Sequence, residues 1–294
     1  MTITILGFGN VGKTIATMLL YELDTFTLNI MDPFESSEGA KLDFLHCSNL
    51  FPKNNVLFND YEAFESSDFI FHTAGVSVPK GASRRSIITA NKEICQSIFK
   101  DAKLKEKCMI IVISNPVDPM TYFTWKYAKL NKSQVIGTGT YLETIRFNSS
   151  LQEETSNKNH NSLVCGEHGE SAVLIESHGT LNQIDSNTVK KLMHNTINAA
   201  SKIKNTQGAT FIGVSGCALS IMKHIMNNTG SILPVSRVLN DQQAYKLQSK
   251  EMAISLPCVM SEKGAEFLEN FTYSDQELRA LISSAQAVEQ NTFH

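Results

Sequence analysis

Near its start the chain reads Ile3-Thr4-Ile5-Leu6-Gly7-Phe8-Gly9-Asn10-Val11-Gly12-Lys13-Thr14. An apolar strand thus runs into a glycine-rich loop, and the residues from Val11 to Glu22 then show the apolar spacing of a helix. Interpreted as G-x-G-x-x-G, the loop is a dinucleotide-binding fingerprint, whose residues from Gly7 to Gly12 let a pyrophosphate approach the helix N-terminus. Interpreted as G-x-x-x-x-G-K-T, it is a P-loop, with Lys13 on the phosphates and Thr14 on magnesium.

Asp32 favours the first interpretation. A second predicted strand, Phe26 to Met31, ends at this residue, 20 positions after Gly12. At that place an acidic side chain can accept both ribose hydroxyls of NAD, and it repels the 2'-phosphate of NADP. The sequence therefore predicts NAD as the cofactor, contacted by Gly7, Gly9, Asn10, Val11, Gly12 and Asp32. A P-loop nucleotide hydrolase remains the alternative from another class.

Strands alternate with helices through the first half of the chain. Further strands are predicted at Asn55–Phe58, Asp68–His72 and Cys108–Ile113, with a long helix at Ile87–Lys107. Such alternation indicates a parallel sheet with helices on both faces and a ligand at the carboxyl ends of the strands. We therefore predict an α/β protein with a Rossmann dinucleotide-binding domain at residues 1–138.

The second half of the chain has a different pattern. Helices are predicted at Ser186–Asn205, Ala209–Met226 and Asp275–Val288, and short strands near Ile232–Leu239 and Met252–Val259. A mixed α+β substrate domain is therefore predicted at residues 139–294.

Composition excludes several classes of function. The chain has 294 residues, of which 42% are hydrophobic, and a net charge of -3, which is ordinary for a soluble globular enzyme. It has no basic run, so nucleic acid is not expected as a partner. Its six cysteines include no C-x-x-C pair, so neither a zinc site nor a disulfide framework is expected, and no metal is assigned. With no signal segment and no apolar stretch near the ~20 residues of a membrane span, we expect a cytoplasmic protein.

A histidine between two glycines is the candidate proton carrier. His168 lies in Gly166-Glu167-His168-Gly169, and with an ordinary pKa of ~6.5 it can act as acid in one direction and base in the other. Glu143 and Arg146 are three residues apart after Thr140, the predicted N-cap, so they share one helix face. We expect Glu143 to accept a hydrogen bond from one nitrogen of His168 and Arg146 to bind a substrate carboxylate bidentately.

Two loops follow buried strands. In Ser114-Asn115-Pro116 the proline turns the chain and leaves the amide of Asn115 at the edge of the sheet, within reach of a substrate oxygen. The segment from Thr73 to Arg85 is rich in glycine, proline and serine and carries cations. A closing lid needs these properties to exclude water and to bring positive charge to a reacting carbonyl.

In these motifs, and essentially from end to end, the sequence resembles the lactate/malate dehydrogenase family. The resemblance implies His168 as proton donor and acceptor, Glu143 as its carboxylate partner and Arg146 as the clamp for the substrate carboxylate. It implies Arg84 as the lid arginine that polarises the carbonyl, with Asn115 and Thr210 lining the site. We further expect the cofactor to contact Thr73, Ala74, Gly75, Asn91 and Asn115, and the protein to form a homodimer or homotetramer.

The chain departs from the family pattern at three places. Glu143 stands where the family normally has Asp, and Pro79-Lys80 replaces the order Lys-Pro. At the lid position that contacts the substrate side chain, malate enzymes carry Arg and lactate enzymes usually Gln, whereas this chain has Val78. We predict an NAD-dependent L-2-hydroxy acid dehydrogenase with lactate and pyruvate as substrates. Malate is the alternative within the class, and an NAD-binding protein of reduced turnover is a further one.

Overall fold

The structure, a computed structural model, describes residues 1–76, 84–156, 160–179, 181 and 184–293. The first half alternates strands and helices: β1 Thr2–Leu6, α1 Asn10–Glu22, β2 Thr27–Met31, α2 Glu38–Ser48, β3 Asn55–Phe58, α3 Tyr61–Glu65, β4 Phe69–His72, α4 Arg84–Phe99, β5 Met109–Val112, α5 Val117–Ala128 and β6 Val135–Gly137. The second half contributes α6 Tyr141–Thr155, β7 Leu163–Cys165, β8 Val173–Ile175, α7 Ser186–Gln207, α8 Ile212–Met226, β9 Ile232–Val238, α9 Asp241–Lys246, β10 Ala253–Ser261, β11 Gly264–Phe267 and α10 Asp275–Phe293.

One large sheet runs through both halves, in the order β11-β10-β9-β6-β5-β4-β1-β2-β3. The strands from β1 to β6 pair in parallel, as predicted, and β4 and β5 are buried along their whole length because helices cover both faces. The strands β9, β10 and β11 are antiparallel and extend the same sheet, joined to β6 through Gly137 and Ser236. The α/β class with a Rossmann cofactor domain is confirmed. The boundary between residues 138 and 139 falls just after β6, and the division into domains there stays a prediction.

The hydrophobic core is shared in the same way. Its largest cluster joins residues of β1, β2 and α1, such as Ile5, Ile30 and Leu19, to residues of α8, β9 and β10, such as Ile221, Val235 and Ile254. A second cluster lies between α4, α5 and the other face of the sheet and includes Cys95 and Met120. The carboxyl ends of β1, β2, β4 and β5 are thereby fixed relative to the second half of the chain.

The long helix before β5 is shorter than predicted. It spans Arg84–Phe99, whereas the sequence predicts Ile87–Lys107. After Phe99 the chain leaves the helix because its backbone N–H groups bind another element: Lys103 N donates to Glu65 Oε1 at 2.8 Å and Lys105 N to Glu65 O at 2.9 Å. These partners at the end of α3 replace the helical acceptors.

Several elements have no prediction from the sequence, and α5 shows why. This helix follows Pro116, and nine of its twelve residues are buried, so apolar and aromatic side chains cover most of its surface. A helix that is buried on most of its surface has a weak amphipathic period, and this period is the main signal for a helix in a sequence. Among the described residues, no helix combines the length and the apolar character needed to cross a membrane.

Candidate active site

The glycine loop is a tight turn between β1 and α1. Gly7 has a φ of +88°, which glycine adopts without strain, and a Cβ at Gly12 would lie 2.1 Å from the Gly7 carbonyl oxygen. Thr73, at the end of β4, closes the turn by donating from Oγ1 to the carbonyl oxygens of Leu6 and Gly7, both at 2.9 Å. The turn and two parallel strands thus hold one another in place.

The geometry of this turn does not support a P-loop. Helix α1 begins at Asn10, so Lys13 lies within its first turn and a half, and the Thr14 hydroxyl donates to Asn10 O at 2.7 Å inside the helix. Phe8 and Gly9 alone separate Gly7 from the helix, which is too short a loop to wrap around a triphosphate. The hydrolase alternative is therefore wrong.

The same turn fits the pyrophosphate of a dinucleotide. Apart from its neighbours in the chain, no described atom lies within 4 Å of the position that a Cβ would take at Gly9, so a ligand can approach the backbone there. Gly9 is the N-cap of α1 and offers no side-chain cap, and the first turn of the helix carries no acidic residue. Backbone N–H groups and the positive end of the helix dipole are thus directed at this space.

Asp32 lies at the end of β2, beside the glycine loop. Its side chain is buried and accepts hydrogen bonds from Phe8 N at 2.7 Å, through Oδ2, and from Phe34 N at 3.0 Å, through Oδ1. The carboxylate therefore braces the glycine loop. Each carboxylate oxygen can accept a second hydrogen bond, so the predicted contact with the ribose hydroxyls is compatible with this arrangement and stays a prediction.

Asn91 joins the loops that leave β4 and β5. Its buried side chain accepts from Val76 N at 2.7 Å and donates to Asn115 O at 2.6 Å, and the Asn115-Pro116 peptide bond is cis. The side chain of Asn115 is exposed at the sheet edge, as predicted. Asn91 thus fixes the position of the Thr73-Ala74-Gly75 segment relative to Asn115. The predicted cofactor contacts of these residues stay predictions.

The predicted lid contacts fall largely outside the described residues. Val78 and the Pro79-Lys80 pair lie within residues 77–83, which the structure does not describe. Arg84 is the first residue of α4, and its side chain is likewise outside the description. The roles predicted for Val78 and Arg84 therefore remain predictions.

The side chains of His168, Glu143 and Arg146 lie together, whereas the roles predicted for them stay predictions. His168 Nδ1 lies 3.1 Å from Glu143 Oε2, and Arg146 Nη1 lies 3.4 Å from Glu143 Oε1. Both Glu143 and Arg146 lie on α6, and the Glu143 carboxylate is buried between the histidine and the arginine. The glutamate thus bridges the proton carrier and the cation, with one oxygen directed at each. Thr140 is the N-cap of α6, but its hydroxyl donates to Val164 O at 2.6 Å and does not cap the helix.

The charges of this group stabilise one another. Burial alone would raise the pKa of Glu143, but His168 and Arg146 outweigh it, so the pKa of this carboxyl is lowered. Burial alone would lower the pKa of His168, but Glu143 and then Asp118 outweigh it against the opposing charge of Arg146, so the pKa of His168 is raised. The imidazolium–carboxylate pair is therefore the favoured state over a wider pH range than for a free histidine.

Asp118 is a site residue that the sequence does not reveal. Its Oδ2 accepts from His168 N at 2.9 Å, and its Oδ1 accepts from Ser236 Oγ at 2.6 Å. The residue lies in the first turn of α5, where acidic residues commonly favour the helix dipole. That ordinary role explains an aspartate at this position, and nothing in the sequence indicates a contact with a residue 50 positions later.

Thr210 lies in the short segment between α7 and α8 and is half-buried. Three residues later, at Gly213, a Cβ would lie 3.2 Å from Leu142 Cδ1, next to Glu143. The start of α8 therefore packs against the start of α6, and Thr210 belongs to a segment at the edge of the site. Its contact with a substrate stays a prediction.

The fold and this set of residues define a dehydrogenase of the dinucleotide-binding class, and comparison with known proteins specifies it. The profile of the lactate/malate dehydrogenase NAD binding domain matches residues 1–137, and that of the lactate/malate dehydrogenase alpha/beta C-terminal domain matches residues 140–292. The chain belongs to the lactate/malate dehydrogenase family, and it is an NAD-dependent 2-hydroxy acid dehydrogenase.

Individual lactate dehydrogenases and malate dehydrogenases are similar to this chain over its whole length. L-lactate dehydrogenase of Clostridium botulinum is 29% identical over 309 aligned positions, covering 99% of this chain and 96% of the relative. Among solved structures, the minor L-lactate dehydrogenase of Enterococcus mundtii has a TM-score of 0.88 at 28% identity, with 99% and 96% of the two chains covered. Malate dehydrogenase of Archaeoglobus fulgidus in complex with NADH has a TM-score of 0.87 at 26% identity, with 99% and 98% covered.

Proposed function

We propose that this chain interconverts L-lactate and pyruvate and prefers them to malate and oxaloacetate. The observation that carries the proposal is Val78, an uncharged apolar residue at the lid position where the resemblance to the family implies contact with the substrate side chain. The L-lactate dehydrogenases similar to this chain support the same substrate class.

Arg146 and His168 divide the work on the substrate. The guanidinium of Arg146 binds the substrate carboxylate, for which its planar fork suits two parallel hydrogen bonds. Glu143 holds Nδ1 of His168 at 3.1 Å, so the other ring nitrogen, Nε2, is the one available to a carbonyl oxygen. During reduction His168 gives its proton to that oxygen, and during oxidation it takes the proton back. NADH, when bound at the cofactor turn, would supply the hydride.

Two further groups complete the reaction. Arg84 stabilises the negative charge that develops on the carbonyl oxygen, the role that the resemblance to the family implies. Asn115 lies at the edge of the sheet and contributes its amide to the same site. The cofactor is held by the turn from Gly7 to Gly12 and by Asp32, and the carboxylate of Asp32 favours NADH over NADPH.

The preference for pyruvate follows from charge. Oxaloacetate brings a second carboxylate into a water-poor site, and leaving it unpaired beside Val78 costs several kcal/mol. Each ~1.4 kcal/mol is about tenfold in specificity. Pyruvate presents only a methyl group, which Val78 tolerates. Malate remains the second candidate because the malate dehydrogenase of Archaeoglobus fulgidus is as similar in structure, and because Lys80 could supply the second cation.

Steady-state kinetics with the two 2-oxo acids test the proposal. We expect a higher kcat/KM for pyruvate than for oxaloacetate in the unmodified protein, and a shift towards oxaloacetate in Val78→Arg. Lys80→Ala is the matched control, because it removes the neighbouring cation and should leave the preference for pyruvate intact. A preference for oxaloacetate that disappears in Lys80→Ala would make this protein a malate dehydrogenase.

We also propose a cytoplasmic homo-oligomer, either a dimer or a tetramer, as the resemblance to the family suggests. Molar mass measured by light scattering at several protein concentrations tests the oligomer. A mass equal to that of one chain, 32.6 kDa, at every concentration would contradict it.

A further inference from the structure

Asp118 is a buried carboxylate, and the charge of His168 favours its ionised form. It is 2% exposed, and none of the ion pairs among the described residues includes it. Its partners are two neutral donors, the backbone N–H of His168 and the hydroxyl of Ser236. Burial raises its pKa to about 6, against the opposing effects of these hydrogen bonds and of the charge of His168. Burying a carboxylate is unfavourable unless it interacts with other groups, so the presence of Asp118 beside His168 calls for a role.

The segment that carries His168 is fixed by hydrogen bonds to three different elements. Gly166 N donates to Ser255 O on β10 at 2.8 Å, and Glu167 N donates to Ser284 Oγ on α10 at 2.8 Å. His168 N donates to Asp118 on α5 at 2.9 Å. Three successive backbone N–H groups thus have three separate partners. Of these partners only Asp118, which binds the N–H of His168, carries a charge.

These contacts matter because the segment has little conformational restriction of its own. Gly166 has a φ of +89°, and Gly169 follows His168 directly. Two glycines allow the backbone between them many conformations. Asp118 is the second residue of α5, which follows the Asn115-Pro116 turn, so its contact ties the proton carrier to the strand end where the substrate is expected to lie. A displacement of about 1 Å in such a group can lower a reaction rate about 100-fold.

The charges around His168 come from several elements. Glu143 and Arg146 face it from α6, and Asp118 faces it from α5. Glu167, on the same segment, acts on Asp118. Cys217 on α8 lies near Glu143 and Arg146, but burial raises its pKa to about 12, so it is neutral at the pH of the assay. Of the two carboxylates that act on His168, one binds its ring and the other its backbone.

We propose that Asp118 is a positioning residue for the reaction: it holds the His168 backbone through a charged hydrogen bond and keeps the imidazole protonated for the reduction of the 2-oxo acid. The inference rests on the proposed role of His168 as proton donor. Removal of the Asp118 charge should therefore both displace the histidine and make it lose its proton at lower pH.

The test compares Asp118→Asn, which keeps the shape and removes the charge, with Ser284→Ala, which removes a neutral partner from the neighbouring peptide. The C2-proton resonance of His168, identified by its absence in His168→Asn, is titrated by NMR in each variant. In Asp118→Asn we expect a pKa of His168 lower by about half a unit or more, because a neighbouring carboxylate favours the charged histidine. In Ser284→Ala we expect the His168 pKa to stay that of the unmodified protein.

Kinetics provide the second measurement. In Asp118→Asn the fall in kcat for pyruvate reduction should be larger at pH 8 than at pH 6, with NADH affinity within about twofold of the unmodified protein. In Ser284→Ala any loss should be equal at both pH values. An unchanged His168 pKa, or an Asp118→Asn loss independent of pH, would show that the contact is merely structural and would overturn the proposal.

Two provisions keep the test decisive. If Asp118→Asn does not fold, hydrogen exchange of the unmodified protein still tests the contact, because the His168 amide should exchange slowly when bound to a buried carboxylate. Rapid exchange of this amide would contradict the proposal. If the unmodified protein reduces neither 2-oxo acid, the proposed function fails, whereas the NMR titration still decides the role of Asp118.

Discussion

The cofactor turn and the proton site lie on the same molecule but are built in opposite ways. The turn from Gly7 to Gly12 joins residues that are neighbours in the chain. Its shape depends on backbone contacts that are possible because glycine has no side chain. The proton site joins α5, α6 and the His168 segment and depends on buried charges. Steric fit determines the structure of the cofactor turn, and electrostatics determines that of the proton site. Substitutions in the two regions should therefore have different effects.

The largest effect is expected at the proton site. His168→Asn should lower kcat by about 10³-fold, because general acid–base groups contribute ~10²–10⁴ to a rate. NADH should still bind, because the histidine acts on the proton and makes no contact with the cofactor turn. Stopped-flow or steady-state rates together with NADH fluorescence titration would check both halves of this expectation. Loss of NADH binding in parallel with kcat would show that the two regions are not separable.

Two alanine substitutions in the cofactor turn sharpen the contrast. Gly12→Ala would place a methyl group 2.1 Å from Gly7 O and should lower the free energy of unfolding by about 3 kcal/mol. The Cβ of Gly9→Ala meets no described atom within 4 Å beyond its chain neighbours, so the free energy of unfolding of this variant should change by less than about 0.5 kcal/mol. Its NADH affinity should nevertheless fall, because the methyl group occupies the space for the pyrophosphate. Unchanged NADH affinity in Gly9→Ala would refute this placement of the cofactor.

Two substitutions of Glu143 separate the effect of its side-chain charge from the effect of its side-chain length. Glu143→Gln should lower kcat by about tenfold or more, because the imidazolium then has no charged partner on its ring. Glu143→Asp keeps the charge and restores the residue normal for the family, so kcat should be kept or raised. Measurement of kcat and of KM for pyruvate in both variants separates the two effects. Normal turnover in Glu143→Gln would remove the carboxylate from the mechanism.

The smallest effect concerns His72, which the folded structure keeps neutral. His72, at the end of β4, is fully buried, and burial lowers its pKa to about 4. Its Nδ1 lies 3.1 Å from Thr124 Oγ1, and its Nε2 has no hydrogen-bond partner among the described residues. In the unfolded chain this histidine binds a proton near pH 6.5, whereas in the folded chain it stays neutral until about pH 4. Its contribution to the free energy of unfolding is therefore present above pH 6.5 and is lost as the pH falls towards 4.

Denaturant unfolding at two pH values measures this contribution. Between pH 7 and pH 5.5 it should fall by about 1.2 kcal/mol. The comparison of the unmodified protein with His72→Leu isolates it, because Asp118, whose pKa is raised to about 6, contributes with the opposite sign in both proteins. An equal pH dependence in the two proteins would contradict the neutral, buried state of His72.

The comparison of the two regions also explains which features could be predicted from the sequence. The glycine turn, Asp32 and the strands around them are local patterns, so their positions follow from neighbouring residues. The pair of Glu143 and His168 can be predicted because each residue lies in a distinctive local motif. Asp118 and Ser236 could not be found in this way, because their contact joins residues 118 positions apart that each have an ordinary local explanation. The continuation of the parallel sheet into β9, β10 and β11 also depends on tertiary packing rather than on local pattern.

The unbroken sheet limits how this protein could be recombined with its relatives. A chimaera joined near residue 138 would exchange β9, β10 and β11 together with the core residues that pack against β1 and β2. It would also exchange Ser236, which contacts both Gly137 across the strands and the carboxylate of Asp118. We therefore expect that one half of this chain cannot simply be replaced by the corresponding half of a relative. A working hybrid would have to keep α5, β6 and β9 from the same parent.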